Sequence, residues 1–280
     1  MRQLSEPRPS AGADATDTAV GAERAAWRSW AIGLLADVGA LVLPVECAGC
    51  GETDLSLCPS CLDLLHQVPR RCEEDAVYLS VRDARGGPTA LPLPTWALAP
   101  YARAMRRIVL GWKAHDRTDV VPALAAAGED AGRYLAGAIT WAPAPRTPVI
   151  VLPAPSGWRR RLSRRFVVGD LADAVGRGLA DGLDPARSVW VVDALRRSGG
   201  RSHALGAAAR GRDRRSAVRV VTRLPAGAAC LLVDDVVTTG ATLAACRAAL
   251  EQVGVSVVGA FALAATPRPG TSTWRATPAG

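Results

Sequence analysis

The sequence predicts an α/β fold, a parallel sheet flanked by helices, with a small four-cysteine module on its N-terminal side. Three observations carry that expectation. From about residue 95 onward short apolar runs alternate with helical patterns, the arrangement of buried parallel strands and their crossovers. Residues 231–243, LLVDDVVTTGATL, run from apolar residues through two adjacent acids into a Thr/Gly/Ala stretch that opens a helical pattern. Upstream, Cys47, Cys50, Cys58 and Cys61 fall in the pattern C-x2-C-x7-C-x2-C. A chain of 280 residues, 49% of them hydrophobic, can bury one α/β core and still carry an appendage.

The elements follow in order. Residues 1–23 are rich in Ala, Ser, Thr, Asp and Pro without periodicity and read as a disordered tail. Over 27–43 the apolar residues recur at helical spacing until Pro44 ends the pattern. The cysteines come next, then LDLLHQVPRRC, a short helix broken at Pro69. RGGPTALPLP, 85–94, is a Gly/Pro-rich connection, so the helix and cysteine module span 24–90 and the main domain 91–268, with a flexible tail at 269–280. Within the main domain TWALAPY, VIVLP, SVWVVDAL, AACLLVDD and VSVVGAFALA read as strands. ARAMRRIVLGWKAH, VVPALAAAGEDAGRYLAGAI, LADAVGRGLADGL and GATLAACRAALEQVG read as helices, the last with Gly254 just past its end.

The formal charge of +8 suits anionic partners, although an Arg- and Ala-rich composition can equally reflect a solvated surface. The basic residues are almost all Arg, and Lys113 is the sole lysine. The first twenty residues lack a basic segment leading into an apolar one, so they do not read as a secretory signal and point to the cytoplasm. The apolar run at 31–45 carries Asp37 and falls short of the ~20 residues of a spanning helix, so no membrane span is expected.

Each C-x2-C pair can present two thiolates to one ion from a tight turn, and two pairs complete a tetrahedral Zn²⁺ shell. Disulfides are the competing reading, weakened by the lack of an export signal. A redox C-x-x-C is a third, without the βαβ context it needs. A structural zinc site at Cys47, Cys50, Cys58 and Cys61 would have no open coordination position. Cys230 and Cys246 lie in core-like segments, and Cys72 has no role that the sequence supplies.

In LLVDDVVTTGATL the helix N-terminus offers unpaired amides and a partial positive charge to a phosphate. Thr238, Thr239 and Thr242 add hydroxyls, and Gly240 lets the backbone come close to an anion. Asp234 and Asp235 are expected at the carboxyl end of the strand, where α/β sheets bind ligands and where carboxylates can accept from sugar hydroxyls. Phosphate plus diol suggests a ribose 5-phosphate. No Gly-Lys-Ser/Thr follows, so this is not the nucleotide-binding P-loop pattern.

The thirteen residues of this run closely resemble the PRPP-binding motif of type I phosphoribosyltransferases. With the four-cysteine knuckles ahead of it, the chain from about residue 27 to 266 resembles the ComF family (ComFC or GntX-like), associated with competence for DNA uptake. The resemblance implies a zinc finger on a type I phosphoribosyltransferase fold, with PRPP or a ribose 5-phosphate held by Val237, Thr238, Thr239, Gly240, Ala241 and Thr242. Asp234 and Asp235 would hold the ribose hydroxyls as the catalytic pair. The family's Tyr and Lys match Tyr101 and Lys113, and the resemblance implies that Lys113, with Ala154 and Pro155, joins the PRPP-binding residues. Its Pro-x-Pro matches Pro153, Ala154 and Pro155, so that the loop from Ala154 to Gly157 would bind diphosphate with Mg²⁺. Arg159, Arg160, Arg161, Arg164 and Arg165 form a basic patch able to screen that diphosphate. The family's Arg-Gly-Phe-Asn-Gln is replaced by Arg164, Arg165, Phe166, Val167 and Val168, and Ser202 and Asp213 stand where Gln and Asn are usual. The implied reaction is displacement of pyrophosphate from C1 of PRPP. Two other readings stay open: a non-catalytic protein contacting single-stranded DNA through arginines and Trp158 or Trp190, or a PRPP or nucleotide sensor recruiting a competence or helicase partner protein.

Overall fold

A computed structural model describes residues 45–79, 92–114, 116–141, 147–155, 167–197, 218–225 and 227–268. Two compact units divide the chain between Glu46 and Cys47, and all described residues from Cys47 onward belong to the second. The predicted helix at 27–43, the predicted tails and the basic patch from Arg159 to Arg165 lie outside the described residues.

A six-stranded sheet forms the centre, in the order β1-β2-β8-β7-β3-β4. Its strands are β1 (Arg70–Arg71), β2 (Thr95–Pro100), β3 (Val149–Pro153), β4 (Val189–Val191), β7 (Ala229–Val237) and β8 (Ser256–Ala265). Neighbours from β2 to β4 are parallel, and β1 caps the β2 edge antiparallel. Two further strands, β5 (Leu195–Arg197) and β6 (Val218–Val220), pair antiparallel in a separate small sheet. The helices are α1 (Pro59–Leu62), α2 (Arg103–Ala114), α3 (Val121–Ala138), α4 (Val167–Gly182) and α5 (Ala241–Glu251). The predicted mixed α/β class, with a mostly parallel sheet between helices, is therefore the fold observed.

Strand periodicity divides the core into two layers. Leu98, Val151, Leu231, Val233 and Leu263 face one layer with Ile108 and Trp112 of α2, Leu135 of α3 and Leu171 and Leu179 of α4. Ala97, Ile150, Leu152, Cys230, Leu232 and Ala262 face the other with Leu243, Cys246 and Leu250 of α5. On the first layer α3 and α4 approach so closely that a Cβ on Gly178 would run into the Glu129 carbonyl oxygen, and one on Gly132 into that of Val175.

The topology fixes where a ligand can sit. From β3 the chain moves outward to β4, whereas from β7 it moves the other way to β8. The carboxyl ends of β3 and β7 therefore flank the point where the strand order reverses, the place where open α/β sheets bind ligands.

Three local expectations are corrected. The predicted helix in LDLLHQVPRRC does not form: α1 ends at Leu62, the first residue of that run, and turns follow, with Leu65 buried in the same core cluster as Cys47, Cys58 and Cys61. SVWVVDAL forms only the short edge strand β4, with Trp190 exposed, and its last residue, Leu195, opens β5 in the separate small sheet. The strand AACLLVDD does not end at the acids: β7 continues to Val237, with Asp234, Val236 and Val237 paired to Ala262, Ala264 and Ala265. The alanines of β8 let the ladder run on, leaving only Thr238 to Gly240 as a loop.

Candidate functional site

The four-cysteine cluster is built by two turns. At the first, the Cys47 amide donates to the Glu52 carbonyl (2.7 Å) and the Gly51 amide to that of Cys47 (2.9 Å). At the second, the Cys61 and Leu62 amides donate to the Cys58 carbonyl at 3.0 and 2.9 Å. An Ala48 to Ser56 bond of 3.0 Å draws the halves together. All four Sγ atoms lie within 4.8 Å of one another, and Cys50 and Cys58 Sγ are 3.5 Å apart. A tetrahedron of Zn–S bonds requires thiolates about 3.8 Å apart, so the donor set fits a zinc-like ion.

The thiols of the cluster differ in how readily they ionise. Burial opposes ionisation of Cys47, yet amides of Cys50, Cys58 and Gly49 aimed at its sulfur bring it down to about 6. The Cys61 amide favours the Cys58 thiolate, but burial and hydrogen bonds with Cys50 and Glu52 push that thiol up to about 11. Burial drives Cys61 upward as well. Gly49 keeps the cage compact, since a Cβ there would meet Cys61 Sγ at 2.5 Å. Cys72, Cys230 and Cys246 are buried elsewhere.

At the carboxyl end of β7 a solvent-open cavity of about 240 Å³ is lined by Asp234, Val236, Val237, Thr238, Thr239, Gly240, Ala241, Thr242 and Leu243. The structure thus gathers most of the predicted loop residues around one space. Gly240 takes φ +76° as the residue preceding α5, and no side chain caps the helix's first amides. Those amides are left for an anion. A side chain at Gly240 is blocked: its Cβ would meet Leu79 Cγ at 2.5 Å.

Asp234 and Asp235 divide between the two faces of the strand. Asp234 lines the cavity, and the Asp235 amide donates to its Oδ1 at 2.8 Å. Burial first, then the neighbouring Asp235 charge, push Asp234 up to about 8, with Lys113 pulling the other way. Asp235 turns to the α2 face, where its Oδ2 lies 2.6 Å from Lys113 Nζ. Both side chains of that pair are largely buried, at 12% and 18% exposure. Lys113 thus meets a carboxylate and is not among the residues lining the cavity.

Ala154 and Pro155 follow β3 beside this site and are buried. The Ala154 amide donates to the Val233 carbonyl at 2.7 Å, and Pro155 has no amide to give. Residues 156–157, the rest of that predicted loop, lie outside the described residues.

Sequence reasoning missed the underside of the loop. The segment from Cys72 to Leu79 runs beneath it: the Tyr78 amide donates to the Thr239 carbonyl (2.9 Å), while Ala76 and Leu79 pack under Gly240. That segment is anchored by Glu73, which accepts from the Thr95 amide at 3.2 Å and pairs with Arg71, itself 5.0 Å from the Trp96 ring centre. No local pattern marks these residues, because their role depends on a contact with a loop some 160 positions later in the chain.

Residues 191–277 match the family model of the phosphoribosyl transferase domain. The match begins in β4 and takes in β7, the Asp234–Gly240 turn, α5 and β8. No curated protein matches the chain. Among the described residues no helix is long and apolar enough to cross a membrane.

Proposed function

We propose that the cavity at the end of β7 binds PRPP, or a related ribose 5-phosphate, and serves phosphoribosyl transfer. The observation that carries this reading is a single one. In a chain matching the phosphoribosyl transferase domain, an uncapped α5 N-terminus opens onto the same cavity as the Asp234 carboxylate. The amides from Ala241 onward and the hydroxyls of Thr238, Thr239 and Thr242 take the 5-phosphate, and Asp234 accepts from the ribose hydroxyls. The diphosphate lies toward the end of β3 at Ala154 and Pro155, with the arginines from Arg159 to Arg165 as its screen.

In the reaction the C1–O bond to pyrophosphate breaks and a bond from C1 to a nitrogen nucleophile forms, the nucleophile giving up a proton. Little covalent work falls on the protein, so orientation and charge placement supply the rate. Mg²⁺ supplies charge neutralisation of the diphosphate. Among the described residues the one group of three or more His, Cys, Asp or Glu able to hold a metal is the cysteine cluster, whose soft donors do not suit that ion. Such an ion would be carried by the substrate's phosphates and water, and no residue is assigned to it.

A four-cysteine cluster ahead of such a domain is the layout of the ComF family, and on this reading the chain is a cytoplasmic member whose cluster holds structural zinc. A link to single-stranded DNA, or to a competence or helicase partner, would come with that membership. Calorimetric titration with PRPP, ribose 5-phosphate and inorganic phosphate, with and without Mg²⁺, tests the site. Ribose phosphates binding more tightly than phosphate supports it; no binding of any phosphorylated ribose sinks it. Release of pyrophosphate from PRPP in the presence of amine or base acceptors then tests transfer.

A further inference from the structure

The sole lysine sits at the C-terminal end of α2, and its ammonium reaches 2.6 Å from Asp235 rather than into the cavity. Asp235 in turn touches Asp234 through its backbone, amide to Oδ1 at 2.8 Å. The three residues form a line: Lys113 fixes the Asp235 side chain, Asp235 fixes the Asp234 carboxylate, and Asp234 borders the ligand space. We infer that Lys113 is a positioning residue that acts through Asp235 to hold Asp234 oriented and available as an anion for a ribose, and that it does not itself bind phosphate. This rests on the ribose-phosphate reading of the cavity.

The physical reason is charge balance. Two carboxylates on adjacent residues at a largely buried strand end repel each other, and one cation on one of them relieves the other. Asp234 feels three further groups: Asp235 on its own strand, Lys113 from α2, and the buried Cys246 thiol of α5. Arg197 of β5 acts on that thiol. Only Lys113 among them pulls Asp234 toward its charged form by its charge. The buried stem of α2 makes the placement firm, since Met105, Ile108, Val109 and Trp112 lock that helix onto the sheet.

Titration calorimetry on the full chain, zinc-loaded, with ribose 5-phosphate and inorganic phosphate across pH 6.5 to 9 as ~half-unit steps, distinguishes the roles of the three residues. Lys113→Met should weaken ribose 5-phosphate about tenfold at neutral pH, leave inorganic phosphate less affected, and move the pH midpoint of ribose-phosphate binding upward by about one unit. Lys113→Arg, which keeps the cation, should hold that midpoint. The decisive variant is Lys113→Met with Asp235→Asn: it removes the repelling charge too and should regain most of the lost affinity. It also controls for folding, since it leaves no uncompensated buried charge. Equal losses for both ligands in Lys113→Met would make Lys113 a phosphate ligand, and a double variant no better than Lys113→Met would also overturn the inference. A wild type that binds inorganic phosphate but no ribose phosphate would instead refute the site reading itself, and this inference with it.

Discussion

Replacing Asp234 by Asn should stabilise the unliganded protein at alkaline pH while impairing ligand binding there. Asn keeps an Oδ1 for the Asp235 amide, so the local hydrogen bond survives and only the titration is lost. Asp234 rises from an ordinary 3.8 to about 8 in the fold. Between those two values the folded state holds a proton that the unfolded state has released, so wild-type stability falls as pH rises through that window and levels off above it. At about 1.4 kcal/mol per unit the ceiling is between 5 and 6 kcal/mol. Water enters the cavity that Asp234 borders, which reduces this to about 2 kcal/mol. The variant and wild type should therefore melt together near pH 4, and the variant should melt roughly 4–8 °C higher near pH 9. Thermal melts at several pH values give this difference, because groups that do not interact with Asp234 titrate alike in both proteins. In parallel, wild type should gain ribose 5-phosphate affinity relative to the variant as pH passes about 8. A stability difference that is independent of pH, or a variant less stable than wild type at alkaline pH, would refute the burial argument.

Gly240→Ala places a Cβ against Leu79 at a left-handed backbone position, and should cost about 2–3 kcal/mol in urea unfolding while lowering phosphate affinity. An unchanged titration with inorganic phosphate would show that the turn is not the anion site. Gly178→Ala drives a methyl group into the Glu129 carbonyl, where neither helix backbone can yield, and should destabilise by about 3 kcal/mol without altering ligand selectivity. A melting temperature within ~2 °C of wild type would contradict the close helix crossing. Cys61→Ser should remove most bound zinc by elemental analysis, whereas Cys246→Ser should leave one ion per chain; retention of the full ion by Cys61→Ser would exclude a four-thiolate shell.

The parts of this fold that were legible in the sequence are those whose physics is local. Two C-x2-C turns declare themselves because each turn carries both of its own ligands, and LLVDDVVTTGATL does so because strand end, glycine turn and helix start are contiguous. Where β7 stops was not legible, since the acids look like a strand terminus until the alanines of β8 are set beside them. Nor could the sequence say that Lys113 meets Asp235, 122 positions away, rather than a phosphate. That contact changes how the acidic pair is understood. Adjacent acids at a strand end suggest two equivalent hands on a sugar, but strand geometry sends successive side chains to opposite faces. One carboxylate is thereby committed to a buried cation while the other borders the ligand space with its proton held to about 8. A doubled acid is therefore a device for making two unlike carboxylates from neighbouring positions. The difference between them is supplied by α2, whose Lys113 the family resemblance ties to PRPP and the structure places on Asp235.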